Sequence, residues 1–322
     1  MILVWVDHVD GTPDVLSLES LTFARGLANS SGVPLQAVVV GADAMADRLG
    51  AFGVQRVHSV WDERLADFAP AAWAQSVVDA IGASDARTVV AAGSDRGNEV
   101  MAHVAAKTEL AFAANCIEVE PGDDYVVTRL RWGGSLLEEA RLSGSVKLLT
   151  VAPHALQPEE APTPSQPVVN QVARTLSEVD LRVRVTGREA PEGGRVSLAD
   201  ARVVVGGGRG VGSAEGFRSL DELAALLGGA VGVSRAVTSL GWRPHAEQIG
   251  QTGMRIAPDL YIACGISGAI QHIVGCKAAK KILAINTDRE APILAHADYA
   301  VIGDLHTVVP ALTAEIRRLS QT

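Results

Sequence analysis

Five short clusters of small, polar and cationic residues in the last third of the chain have the make-up of a site for an electron-rich ligand. They are Gly206-Gly207-Gly208-Arg209-Gly210-Val211-Gly212, Ser234-Arg235-Ala236, Gly265-Ile266-Ser267-Gly268-Ala269-Ile270-Gln271-His272, Asn286-Thr287-Asp288 and Gly303-Asp304-Leu305. A further polar segment, Gln248-Ile249-Gly250-Gln251-Thr252-Gly253, lies between them. Arg209 and Arg235 offer planar cations that hydrogen-bond in a fork and stack on rings. Gly265 and Gly268 allow close backbone approach. Ser267 is expected to cap the helix that follows, whose free N–H groups would favour a phosphate or another electron-rich group. His272 falls within the first turn and a half of that helix. Taken singly, each cluster also reads as an ordinary turn, with Arg209 and Arg235 solvated and His272 satisfied by a carbonyl.

The familiar fingerprints do not fit. Starting at Gly206, the glycine run puts Val211 where G-x-G-x-x-G needs its third glycine, and no Gly-Lys-Ser/Thr follows. A Rossmann-type NAD site and a nucleotide-triphosphate loop both lose their main support. What remains is a backbone expected to reach positive φ and to bring N–H groups near a ligand. Cys264 and Cys276 have no C-x-x-C partner and read as small apolar fillers, so no metal site is expected. No G-x-S-x-G elbow is present.

The clusters gain meaning from the elements that precede them. Arg202 to Val205, Ala230 to Val233, Leu260 to Cys264, Ile282 to Ile285 and Tyr299 to Ile302 read as buried strands. Leu220 to Leu227, Ser267 to Gly275 and Val308 to Leu319 read as helices. Each cluster sits just beyond a strand, where open parallel sheets bind ligands. The N-terminal half repeats the alternation, with strands at Ile2 to Val6, Gln36 to Val40, Arg56 to Val60 and Thr88 to Ala91. Helices are expected at Leu18 to Ala28, Ala42 to Leu49 and Phe68 to Ile81. Asp95 to Lys107 reads as a loop and helix with Asn98 as a possible cap, and Tyr125 to Leu130 and Val146 to Val151 as strands. Such alternation predicts parallel pairing. The fold class is therefore α/β in two domains, the C-terminal one a doubly wound parallel sheet.

Five prolines between Pro153 and Pro167 disfavour helix and central strand, so this stretch is expected to be a loop or tether. Val183 to Val185 is a candidate to return to the first sheet. The domains are expected at 1–196 and 197–322. With 322 residues, 48% hydrophobic and 20% charged, the composition is that of a globular protein. A net charge of −9 without a basic block argues against nucleic-acid binding. Three cysteines make no disulfide framework, and neither a signal-type start nor a long apolar span is seen, so a cytoplasmic setting is expected.

Gly207-Gly208-Arg209-Gly210, Ser234-Arg235-Ala236, Gly250-Gln251-Thr252-Gly253, Ala257-Pro258-Asp259-Leu260-Tyr261, Gly265 to His272 and Ala284-Ile285-Asn286 together carry a family likeness. With these stretches the chain resembles the α subunit of electron transfer flavoprotein over nearly its whole length, most strongly from Val205 to Pro310. The resemblance implies FAD in the C-terminal domain and a heterodimer with a β subunit that holds AMP or a second FAD. By matching position, Arg235 would lie beside the isoalloxazine, Thr252 near its N5 and O4 edge, and His272 near its C2 carbonyl. Arg209, Ser234, Gln248, Gln251 and Ser267 would contribute to the flavin and pyrophosphate surroundings, and Asn286 and Asp304 to the adenosine end. Gly265, Gly268, Gln271 and Leu305 complete the expected cofactor contacts.

Added electron density around flavin N1 and the C2 carbonyl would be stabilised by Arg235 and a donating His272, so the protein would tune the cofactor that does the redox work. The resemblance further implies an electron carrier rather than a substrate-converting enzyme. Electrons would come from acyl-CoA or other flavin dehydrogenases, as in fatty acid oxidation, and pass to a membrane-associated quinone oxidoreductase. Two alternatives stay open: an electron-bifurcating subunit using NADH through its β partner, and a nucleotide-binding regulatory protein without redox work.

Overall fold

The structure, a computed structural model, describes residues 1–9, 11–42, 45–134, 136–187, 197–198 and 201–320. The chain divides into two compact units, Met1–Arg188 and Glu189–Thr322. The expected break after residue 196 adjoins residues 188–196, which lie outside the described part. Among the described residues no helix is long and apolar enough to cross a membrane.

The first unit is built on a nine-stranded sheet. Its order is Val168–Gln171, Arg56–Val60, Leu35–Val40, Ile2–Trp5, Thr88–Ala92, Lys147–Val151, Phe112–Glu120, Tyr125–Arg131 and Leu136–Leu142. The first seven pair in parallel, as the alternating sequence predicts. The last two add antiparallel. Two of these strands, Phe112–Glu120 and Leu136–Leu142, escape a search for apolar runs because charged residues alternate along them. Arg129 and Glu138 stand opposite each other in register and form an ion pair at 2.7 Å. One sheet face packs on the helix Val15–Ser31 and the other on Pro70–Ser84 and Asp95–Thr108.

Several expectations need correction in this unit. The helix expected at Ala42 to Leu49 spans Ala46–Ala51, and residues 43–44 of that expectation lie outside the described part. Ser94, not Asn98, caps the helix Asp95–Thr108, accepting from the Gly97 amide at 3.0 Å. Asn98 instead donates to the Gly93 carbonyl and accepts from Thr150 Oγ1. The proline-rich stretch is a strap on the first unit. Its Ala161 and Ser165 amides donate to the Ala51 and Gly50 carbonyls, and Arg25 and Thr22 both bond the Glu159 carbonyl. Beyond the prolines, Val168–Gln171 takes the edge of the sheet, while Val185 makes a single backbone bond to Phe68. The strand expected at Val183 to Val185 is thus displaced by one fifteen residues earlier.

The second unit holds five parallel strands in the order Ala230–Val233, Val203–Gly207, Leu260–Cys264, Ile282–Asn286 and Tyr299–Ile302. In chain order this is second, first, third, fourth, fifth, so the winding reverses beside Val203–Gly207. That reversal is the crevice where doubly wound sheets hold ligands. Side chains alternate across the sheet. Val204, Tyr261, Ala263 and Ala284 pack with Ile249, Ile256 and Ile293 on one face. Val205, Ile262, Cys264 and Ile285 pack on the other with the helices Arg218–Leu226 and Leu305–Ser320.

Candidate cofactor site

The strand Val203–Gly207 runs into its loop without a residue of positive φ until Gly212, at +84°. The preceding glycines serve packing rather than a left-handed turn. A Cβ on Gly208 would lie 2.2 Å from the Gly265 carbonyl oxygen, and one on Gly210 would lie 2.8 Å from Gly265 Cα. Two loops from neighbouring strands thus meet backbone to backbone, tied by Gly208 N–H to the Cys264 carbonyl and Gly210 N–H to the Gly265 carbonyl. Gly265 itself has φ +60° and Gly268 +85°, so both are positions where only glycine is unstrained. Arg209 follows this junction, exposed, its carbonyl accepting from Gly212 N–H and its guanidinium without a hydrogen bond or ion pair among the described residues.

A cavity of about 230 Å³ opens beside it at the carboxyl ends of the strands. Three segments line it: Ser234, Arg235 and Ala236 after the strand Ala230–Val233; Gln248 to Thr252; and Ile266, Ser267, Ala269, Gln271 and His272 after Leu260–Cys264. The segments are tied together by backbone bonds, Ile249 N–H to the Val233 carbonyl at 2.8 Å and Gln251 N–H to the Gln271 carbonyl at 2.7 Å. Gln248 is buried to 2% exposure and holds the middle segment in place. Its Oε1 accepts from Thr238 Oγ1 at 2.6 Å, and its Nε2 donates to Thr252 Oγ1 at 3.0 Å. Thr252 is thereby an acceptor towards Gln248 and keeps its own hydroxyl hydrogen for another partner.

Arg235 is the only lining side chain with a fixed charge, exposed and free of ion pairs among the described residues. His272 contributes no charge: burial pushes its pKa down to about 4, with the Ile249 carbonyl pulling weakly the other way. Its Nε2 lies 2.8 Å from Tyr261 Oη, and its buried Nδ1 makes no hydrogen bond of good geometry. Burial raises the thiols of Cys264 and Cys276 to about 12, which makes them apolar fillers in practice.

Of the residues expected from sequence, Ser234, Arg235, Gln248, Gln251, Thr252, Ser267, Gln271 and His272 converge on this cavity. The others stand apart from it. Asn286 donates to the Ile266 carbonyl and accepts from Asp288 N–H, bracing the loop. Asp304 accepts from His306 N–H at the start of the last helix. The Leu305 side chain is in the core, against Gly265. Ser267 does not cap the helix: this begins at Ile270 behind Ala269, and the Ser267 carbonyl instead accepts from Ile293 N–H. Ser267 lines the cavity, and its hydroxyl has no hydrogen-bond partner among the described residues. Sequence reasoning missed Thr238 and Tyr261. A tyrosine inside an otherwise aliphatic strand is the one signal that could have marked the latter.

Fold and site define an α/β protein whose second unit carries a doubly wound sheet with a singly cationic cavity at the carboxyl ends of its strands. The profile described as the electron transfer flavoprotein domain matches residues 2–177, and that described as the electron transfer flavoprotein FAD-binding domain matches residues 197–277. Electron transfer flavoprotein subunit alpha of Clostridium acetobutylicum is 35% identical over 98% of this chain and 96% of that protein. The proteins of the same description from Bacillus subtilis and Mycobacterium leprae are 32% and 36% identical, covering 97% and 98% of this chain and 95% and 98% of their own lengths. The chain belongs to the electron transfer flavoprotein α-subunit family, a family of electron carriers.

Proposed function

We propose that the second unit holds FAD, with the isoalloxazine in the cavity between Arg235, Thr252 and His272. On this reading the protein is the cofactor-bearing half of a heterodimeric electron shuttle, and the unit that binds the cofactor begins near residue 197. The observation that carries the reading is the donor set of the cavity. A free guanidinium, a threonine hydroxyl fixed as acceptor towards Gln248, and a neutral histidine with an unpaired nitrogen line one ring-sized space. Such a set suits a planar ring with acceptor atoms along its edge, and Arg235 adds positive charge where reduction adds negative charge. Bound there, FAD would supply the one-electron chemistry; this chain's residues orient the ring and set the cost of charging it.

Arg209 and the hydroxyls of Ser234 and Ser267 remain available to the pyrophosphate. The edge formed by Asn286 and Asp304 is available to the adenosine, through atoms not already committed to bracing the loops. We assign the physiological exchange to flavin dehydrogenases, acyl-CoA dehydrogenases among them, as donors and a membrane-associated quinone oxidoreductase as acceptor, with a β subunit completing the site.

An absorbance titration of the chain co-expressed with its β subunit tests the proposal. One FAD per chain, reduced in resolved one-electron steps, is the expected result. AMP or ATP in its place, or no bound flavin, would reject it. Two flavins per heterodimer with direct reduction by NADH would identify a bifurcating protein instead.

A further inference from the structure

We infer that Tyr261 is a positioning residue for His272, holding the imidazole as the tautomer that carries its hydrogen on Nδ1. The inference deepens the flavin reading and rests on it only for the identity of what His272 meets in the cavity. Tyr261 stands on the strand Leu260–Cys264, fully buried, with Oη 2.8 Å from His272 Nε2. Either atom could be the donor in that contact, and the surroundings decide between them. Burial raises the phenol's pKa well above its ordinary value and lowers that of the imidazole, so the phenol keeps its hydrogen and the ring holds only one. The thiols of Cys264 and Cys276 beside the pair are neutral too, so no charge in contact with it overrides the hydrogen bond.

Two arrangements are then possible. If Nε2 carried the hydrogen and donated to Oη, the phenolic O–H would be left in the core with no other acceptor, and Nδ1 would be a bare lone pair. If the phenol donates to Nε2, one polar group of the pair is left over instead of two, the hydrogen of the imidazole. That hydrogen sits on Nδ1, where the Ile249 carbonyl favours a protonated nitrogen. A buried polar group left unpaired costs about 1–3 kcal/mol, equivalent to roughly five- to 150-fold in the ratio of the two arrangements. The second arrangement therefore dominates.

The glycine run explains why the phenol can reach so far. A Cβ on Gly206 would lie 2.3 Å from Tyr261 Oη and 2.6 Å from its ring. The first glycine of the run thus makes room for the phenol. Gly206, Tyr261 and His272 come from the first strand, the third strand and the following helix, and they act as one assembly. Its product is a neutral histidine that can give a hydrogen but not a charge. The imidazole that lines the cavity is thereby held in one tautomer and one orientation.

Long-range ¹⁵N–¹H correlation spectra of the histidine-labelled full chain, with His272→Gln to assign the signal, read which nitrogen is protonated. The expected wild-type pattern at pH 7 is Nδ1 protonated and Nε2 bare. Tyr261→Phe, which keeps the ring, is expected to move the tautomer ratio at least about fivefold towards Nε2–H. A wild-type signal from Nε2–H, or an unchanged ratio in the variant, overturns the inference. The wild-type spectrum decides even where the variant does not fold. A chain that takes up no flavin yet shows Nδ1–H upholds the positioning while rejecting the flavin reading.

Discussion

Replacing His272 by glutamine should remove a pH-dependent part of the second unit's stability. His272 is 6% exposed, and burial holds its pKa at about 4 against roughly 6.5 in an unfolded chain. Between those values the unfolded chain binds a proton that the folded chain excludes, so stability rises with pH across this window. The contribution of the neutral imidazole is complete above about pH 6.5 and is lost as the pH falls towards 4. A difference of about 2.5 units corresponds to about 3.4 kcal/mol at the acid limit, of which about 2.5 kcal/mol is already lost at pH 4.5. Native-state hydrogen exchange of the Leu260–Cys264 amides at pH 7.5 and 4.5 measures this directly. Wild type should lose about 2.5 kcal/mol more than His272→Gln between the two pH values. Parallel losses in both proteins would show that His272 is not held neutral by burial, and would remove the physical basis for its role as a neutral donor.

Other consequences are as specific. Gly208→Ala places a methyl 2.2 Å from the Gly265 carbonyl oxygen, backbone against backbone; it should destabilise the second unit by about 2 kcal/mol in thermal or denaturant unfolding, and an unchanged midpoint would reject the close-packing role given to the glycine run. Gln248→Ala frees the hydroxyls of Thr238 and Thr252 and should cost about 1–2 kcal/mol and weaken cofactor retention in equilibrium dialysis, whereas a Gln248→Glu protein that retains cofactor like wild type would contradict the bracing of the segment by the Gln248 amide. All three cysteines are buried, with thiols raised to about 12. At pH 7.5 about 3 in 100,000 would be ionised, so a thiol reagent should modify none until the chain unfolds; rapid labelling of one thiol in the native protein would refute this packing.

Much of the fold was legible because both units obey simple periodicities. The five strands of the second unit fell within about two residues of their expected bounds, since each is a short aliphatic run closed by glycine, serine or asparagine. Legibility failed where a strand is half solvated. In Phe112–Glu120 and Leu136–Leu142, alternating charges such as Glu118, Glu120, Glu138 and Arg141 hide the buried positions from any search for apolar runs. The site was legible as a set of loops but not as a division of labour. Composition marks Gly206 to Gly210 as ligand-binding material, whereas the close approaches show most of them accommodating Tyr261, Phe217 and the Gly265 loop. Gln248 and Asn286 both carry amides suited to a ligand, yet each is spent on its neighbours. Only the folded chain could reveal that Arg235 is left free while Arg243, eight residues on, is bound by Asp221 and Glu247.

That free guanidinium makes the central claim testable at one position. Because Arg235 supports no other side chain, Arg235→Ala should leave unfolding nearly unchanged. Removal of a unit charge from an exposed site close to the ring costs on the order of 1 kcal/mol, or about 40–60 mV in a one-electron couple. A spectroelectrochemical titration of the flavin-loaded heterodimer should therefore show the first reduction potential falling by about that amount in Arg235→Ala. An identical first potential in wild type and variant would contradict the placement of the flavin ring in this cavity.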